Sequence, residues 1–291
     1  MNRLPGTSPR ALKALLAELG VRPDRRLGQN FLVDARVLRS AVEAAELHAG
    51  DAVLEVGPGT GTLSAALLEA GCRLLAVERD RRLAGWLSQA LAGQPAFHLL
   101  VGDVLRLDWR SAWRATFGPV ERALVVSNLP YAISGPLVRD LVTADEPAWE
   151  RLVLLVQREF ADRLTAPPGT EAYGALTLLT RRYARVERLL RVSPASFWPE
   201  PEVESALIRL WPIRPRPPRE PFESLVRVAF AHRRKTLENG LKGWRGPRGG
   251  LGRPEVERLC RRAGLDPAVR AEELDVADFE RLARVVEAGE L

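Results

Sequence analysis

Ala52-Val-Leu-Glu55-Val-Gly57-Pro-Gly59-Thr-Gly61 carries an apolar run straight into three glycines spaced two apart. Such a run suits a strand buried on both faces, as in a parallel sheet covered by helices. Glycine tolerates positive φ and has no Cβ, so a ligand can approach the backbone closely at these positions. A helical pattern follows from about Thr60 to Ala70. The loop therefore sits at the carboxyl end of a strand, where open α/β sheets bind nucleotides. A glycine-rich strand-to-helix turn also occurs as a purely structural device, so its neighbours in sequence have to discriminate.

Those neighbours repeat the pattern. AVLEVG (52–57), RLLAVE (73–78), AFHLLVG (96–102), RALVVSN (122–128) and RLVLLVQ (151–157) alternate with helical stretches, which predicts a doubly wound α/β domain. ARVERLLRVS (184–193) and ESALIRLWP (204–212) have no helical pattern between them and are expected to pair antiparallel at one edge. Ahead of the sheet stand a helix near Ser8 to Gly20, a polar segment at 22–34, and a helix near Ala35 to Glu46 with Asp34 as its N-cap. After it, PIRPRPPREP (212–221) holds five prolines in ten residues, the composition of an extended linker. We expect a first domain over 1–211 and a small all-helical domain over 212–291, with GWRGPRGGLGR (243–253) as a mobile basic loop.

Composition narrows the function classes. With 291 residues, 46% hydrophobic and 27% charged, the chain fills a globular core and is neither disordered nor fibrous. No stretch approaches the roughly 20 apolar residues of a membrane span, and the first twenty residues read as an amphipathic helix, so we expect a cytoplasmic protein with no membrane partner. Cys72 and Cys260 are isolated, and His48, His98 and His232 lie scattered. No metal site and no histidine-based triad is expected from them. The formal charge is +6, and of 43 basic residues only Lys13, Lys235 and Lys242 are lysines. Eleven basic residues stand against three acidic ones in 212–254, while 255–291 is net acidic. A focused basic stretch suits a polyanionic partner, and arginine grips phosphate bidentately.

The glycine spacing bears on the cofactor. A dinucleotide loop would place its third glycine at 62, which is Thr62, whereas Gly57, Gly59 and Gly61 satisfy G-x-G-x-G. This favours S-adenosylmethionine over a nicotinamide. Glu78 ends the next strand about 20 residues on, where a carboxylate can accept from both ribose hydroxyls. Asp103 follows the third strand, placed to accept from an adenine amino group. Ser127-Asn128-Leu129-Pro130-Tyr131 ends the fourth. The exocyclic amine of a base is a poor nucleophile because its lone pair is delocalised into the ring. If the Asn128 side-chain oxygen and the Leu129 carbonyl accept its two hydrogens, the nitrogen can pyramidalise toward a methyl donor, with Pro130 stiffening the turn. Tyr131 offers a face for the base, worth about 1–3 kcal/mol of stacking.

These residues, with Leu27-Gly28-Gln29-Asn30-Phe31-Leu32, QREFADRLTAPPGTEAYGALT (157–177), Phe197-Trp-Pro199-Glu-Pro201-Glu-Val203-Glu-Ser205 and Arg233-Arg234-Lys235-Thr236-Leu237-Glu-Asn239, resemble the rRNA adenine N6,N6-dimethyltransferase family in its bacterial small-subunit branch. The resemblance implies a Rossmann-like methyltransferase sheet with a C-terminal helical domain. It implies dimethylation of two adjacent adenines in the 3′-terminal hairpin of small-subunit rRNA, late in ribosome assembly, by a monomer acting on the pre-ribosomal small subunit. It also assigns Asn30 and Leu32 to a lid over the cofactor's methionine part. It assigns Gly57, Glu78, Asp103 and Asn128 to the cofactor, and Phe197 to a base sandwich opposite Tyr131. Arg233, Arg234 and Lys235, with Arg214, Arg216, Arg245 and Arg248, would neutralise RNA phosphates. Two alternatives stand beside this one: a large-subunit adenine methyltransferase of the antibiotic-resistance type, and an RNA-binding assembly checkpoint in which turnover is secondary.

Overall fold

The computed structural model describes residues 4–23, 28–232, 235–246 and 249–289. It divides into two compact units: Met1–Ala161 with Val186–Pro212, and Asp162–Arg185 with Ile213–Leu291.

The first unit is built on seven strands: β1 (Ala52–Val56), β2 (Arg73–Glu78), β3 (Phe97–Val101), β4 (Ala123–Asn128), β5 (Trp149–Gln157), β6 (Ala184–Val192) and β7 (Ser205–Pro212). Their order across the sheet is β3-β2-β1-β4-β5-β7-β6. The first five run parallel, and β7 lies antiparallel on β5. The doubly wound core agrees with the sequence pattern, and β6 and β7 lie side by side at one edge of the sheet. Val53, Leu74, Leu124, Val126, Val153 and Leu155 form one core with Val37, Ala41 and Ala45 of α2 (Ala35–Ala45) and with Leu63 and Leu67 of α3 (Thr62–Glu69). The residues between them in the strands, among them Leu54, Leu75, Val125 and Leu154, are equally buried and point to the opposite face, as the period of two in a strand requires. On that side, Trp109 and Trp113 of α5 (Trp109–Phe117) stack with Trp149 at centroid separations of 6.0 and 5.0 Å.

The local rules that start the helices are visible. Asp34 caps α2 by accepting from the Arg36 N–H at 2.9 Å, and Asp80 caps α4 (Arg81–Ala90) by accepting from Arg82 and Leu83. The amphipathic α1 (Pro9–Glu18), capped by Ser8, buries Leu12 and Leu16 with Phe31 and Leu83. A two-residue strand at Phe31–Leu32 pairs antiparallel with Phe197–Trp198.

The second unit is helical, and its core joins Tyr173, Leu178, Phe222, Leu225, Leu241, Trp244, Val256, Leu259, Phe279 and Leu282. Its composition corrects the sequence reading in one respect. Residues 162–185 pack here, although they precede the proline-rich segment and fall within the expected first domain, 1–211. The cause is long-range: the Tyr173 hydroxyl donates to the Leu274 carbonyl at 2.6 Å, and the buried Tyr183 hydroxyl donates to Glu223 Oε1 at 3.0 Å. The chain passes into the second unit again after Pro212. The expected mobile loop also differs. Trp244 is buried with its Nε1–H on Ser224 Oγ at 3.1 Å, and Arg245–Gly246 pair with Gly249–Gly250.

Candidate active site

The reversal in strand order lies between β1 and β4, and the carboxyl ends of these strands open a crevice there. A cleft with about 1040 Å³ of empty space, partly open to solvent, occupies it. Asn30, Leu32, Gly57, Gly59, Glu78, Asp103, Asn128 and Pro130 all line this cleft. Residues far apart in sequence thus meet because two adjacent parallel strands end at one level.

Gly57 and Gly59 are required by geometry at this point. Their φ angles are 71° and 60°, and a Cβ on them would stand 3.2 Å from the Pro130 ring and 3.1 Å from the Phe31 ring. Gly61 serves differently. It lies outside the cleft lining, caps α3 with φ 84°, and a Cβ on it would stand 2.8 Å from Leu87 and 3.0 Å from Leu4. Of the three glycines, two shape the cleft and one turns the chain into the helix.

The acids are held by the backbone. Glu78, only 6% exposed, accepts the Gly59 N–H on Oε2 at 3.0 Å and the Asp80 N–H on Oε1 at 2.8 Å. Burial raises its pKa, and these two hydrogen bonds oppose the rise. A carboxylate offers about four lone-pair sites, so about two remain for hydroxyls of a ligand. Asp103 accepts from the Leu105 N–H at 3.0 Å and faces Arg79 at 3.8 Å.

Asn128 closes β4. Its Nδ2 donates to the Asn30 carbonyl at 3.0 Å. The amide is thereby oriented, with its oxygen as the acceptor left for a guest. Ser127, one residue earlier, donates to the Val56 carbonyl at 2.6 Å and ties the ends of β4 and β1 together. Leu129 has a buried side chain and an N–H bonded to the Leu155 carbonyl at 3.0 Å. Tyr131 opens a short 3₁₀ turn (Tyr131–Ile133), is half-buried, and has its hydroxyl 2.7 Å from Ser205 Oγ.

Phe197 departs from the expectation. It is 2% exposed and packs with Leu32, Val37, Val192 and Leu207, paired in register with Leu32. A ring so enclosed is a core side chain.

Glu55 has no role in the sequence reading beyond its place in the glycine motif, yet it belongs to the cleft lining. It is 1% exposed, accepts from Ser64 Oγ at 2.6 Å, and burial pushes its pKa up to about 8. The signal is present in the sequence: a lone acid inside the otherwise apolar AVLEV. Gly28 is a second residue that sequence reasoning missed; a Cβ there would come within 3.1 Å of the Tyr131 backbone nitrogen.

Among the basic residues, Lys235, Arg214 and Arg245 are exposed and Arg216 is partly so, all in the second unit. Arg233, Arg234 and Arg248 lie outside the described residues. Among the described residues, no group of three potential ligands could hold a metal ion, and no helix is long and apolar enough to cross a membrane.

The model of the family described as ribosomal RNA adenine dimethylase matches residues 21–286. This chain belongs to that family. Ribosomal RNA small subunit methyltransferase A of Kineococcus radiotolerans is 42% identical over 284 residues, covering 95% of this chain and 90% of the relative. The protein of the same name from Synechococcus sp. (strain JA-3-3Ab) is 42% identical over 271 residues, covering 90% and 92%. Among solved structures, a dimethyladenosine transferase from Plasmodium falciparum superposes with a TM-score of 0.74 over 89% of this chain and 98% of that one, at 23% identity. The 23S rRNA methyltransferase ErmE gives 0.63 over 89% and 100%, at 28% identity. The rRNA adenine dimethylase fold is thus shared over nearly the whole chain, and the cleft at the β1/β4 switch point is its candidate active site.

Proposed function

We propose that this dimethylase transfers methyl groups from S-adenosylmethionine to N6 of two adjacent adenines in the 3′-terminal hairpin of small-subunit rRNA, late in assembly of the subunit in the cytoplasm. One observation carries the reading: a single cleft is lined by Gly57, Gly59, Glu78, Asp103 and an Asn128 whose carboxamide is oriented from behind by Asn30.

The residues present fit S-adenosylmethionine. The cleft is concave, as small-molecule sites are, and several polar groups converge on it. Its floor at Gly57 and Gly59 is a place where any Cβ would intrude. Glu78 and Asp103, from the ends of successive strands, supply acceptors for ribose hydroxyls and an adenine amino group. Asn30 and Leu32 border the remaining end. When bound, the cofactor supplies an electrophilic methyl on a sulfonium, already an excellent leaving group.

The chain's own contribution is then geometric and electrostatic. For the first methyl, Asn128 Oδ1 and the Leu129 carbonyl would accept the two N6 hydrogens, and for the second, one of them would accept the single hydrogen left. Either way the nitrogen lone pair is drawn out of conjugation, and as each N–C bond forms and the S–C bond breaks, the N6 proton leaves to solvent. Pro130 fixes the turn between them, and Tyr131 stacks on the extruded base. The chemistry asks for no strong base, and none of the three histidines lines the cleft. Lys235, Arg214 and Arg245 give the second unit exposed cations for rRNA phosphates, which position the substrate without reading its sequence.

The test is mass spectrometry of rRNA digests from cells with and without the gene, coupled to methylation of purified subunit precursors in vitro. Two dimethyladenosines missing from small-subunit rRNA support the reading. Loss of a large-subunit methyl mark would instead favour the antibiotic-resistance type, and unchanged rRNA with defective assembly would favour the checkpoint.

A further inference from the structure

Ser205, at the end of the proline-flanked segment that begins with Phe197, has no part in the chemistry proposed above. It is completely buried, opens β7, and stands in register with Gln157 of β5. Its hydroxyl lies 2.7 Å from that of Tyr131, in the 3₁₀ turn after β4. β5 separates β4 from β7 in the sheet, with Asn128 beside Leu155 on one side and Ser205 beside Gln157 on the other. The phenol therefore reaches across the end of β5 to a rigid anchor.

A buried serine beside a half-buried tyrosine needs a hydroxyl partner, because each would otherwise carry an unmet polar group. That requirement explains why both hydroxyls are present but not what the pairing achieves. Its position does. The 3₁₀ turn sets the backbone of Tyr131, and this hydrogen bond ties down the far end of its ring. A stacking platform aids the reaction only if its plane is set before the base arrives.

We propose that Ser205 is a positioning residue: its hydroxyl holds the Tyr131 ring in the plane on which the target adenine stacks. This rests on the reading of Tyr131 as the base platform. The serine touches neither adenine nor cofactor, and it acts through the phenol alone.

Steady-state methylation of small subunits carrying unmethylated rRNA tests it, using wild type, Ser205→Ala, Ser205→Thr, Tyr131→Phe, the Ser205→Ala/Tyr131→Phe double variant and Tyr131→Ala. Because one net hydrogen bond is at stake, Ser205→Ala and Tyr131→Phe should each lower kcat/KM for the subunit about 3- to 10-fold. The double variant should be no worse than either single, since both remove the same bond. Ser205→Thr, which keeps the hydroxyl, should restore most of the loss, and KM for S-adenosylmethionine should stay unchanged throughout. That last readout separates positioning from general damage to the fold. Losses that multiply in the double variant, or a Ser205→Ala enzyme with wild-type kcat/KM, would overturn the proposal. If Tyr131→Ala itself has full activity, the platform reading fails first; if Tyr131→Ala is impaired while Ser205→Ala is not, only the role of Ser205 fails.

Discussion

The Asn128 side-chain nitrogen donates to the main-chain carbonyl of Asn30 at 3.0 Å, joining the end of β4 to a segment that precedes the whole sheet. A carboxamide has two chemically opposite ends, and this bond occupies the donor so that the acceptor faces the cleft. Asn128→Asp should therefore be far worse than its size suggests. It would set a carboxylate oxygen against a carbonyl at hydrogen-bonding distance, a repulsive pairing. We expect loss of methyl transfer together with weakened cofactor binding, measured by calorimetry. Retention of both would mean that the Asn30 carbonyl does not orient the side chain.

Gly57→Ala and Gly59→Ala should each weaken S-adenosylmethionine binding. Positive φ costs an L-residue about 1 kcal/mol or more, and the new methyls would collide with Pro130 and Phe31. A dissociation constant raised by about 10-fold or more corresponds to the strain plus the clash. Gly61→Ala, with φ 84° but outside the cleft lining, should lower Tm while changing affinity less. Equal effects of Gly61 and Gly57 on affinity would contradict this division of roles.

Glu55 makes stability depend on pH. Its carboxyl is pushed from 4.5 up to about 8 by burial, so in the folded chain it holds its proton where the unfolded chain has released it. The resulting stabilisation is complete below about pH 4.5 and is lost as pH rises through about 8. Glu78 is shifted in the same direction by burial and adds to the slope. Thermal melting without cofactor between about pH 6 and 9, a window that brackets the raised carboxyl, should show wild type losing Tm with rising pH. Glu55→Gln should lose distinctly less, and parallel curves would show that Glu55 does not titrate there.

For rRNA binding, Lys235→Gln and Arg245→Gln should each reduce the slope of log affinity against log salt by about 1 for every phosphate the missing cation no longer neutralises. Binding of the small subunit across a salt series checks this. An unaltered slope in the double variant would place the phosphate-binding surface elsewhere.

What the sequence discloses follows physical range. The strands of the parallel core are legible because burial on both faces demands unbroken apolar runs, as in AVLEV and LLAVE, and Asp34 announces its helix because capping is local. The glycine loop, Glu78, Asp103 and Asn128 are legible because each occupies the end of such a strand. Residues 162–185 fall on the wrong side of the expected boundary because their allegiance depends on Tyr173 meeting Leu274, about a hundred positions away. The proline-flanked context of Phe197 looks like an exposed loop able to meet a base. Its pairing with Leu32, which buries it, has no local signature. Glu55 is visible as a charged residue in a buried strand, but its Ser64 partner is not.

The most direct test of the account is single-turnover methyl transfer by Asn128→Ala on small subunits with unmethylated rRNA, at saturating S-adenosylmethionine, scored as dimethyladenosine in digests. Removing one preorganised acceptor from the reacting amine should slow transfer by about 100-fold or more, with the cofactor still bound. Transfer at the wild-type rate would contradict the claim that this carboxamide activates the adenine nitrogen.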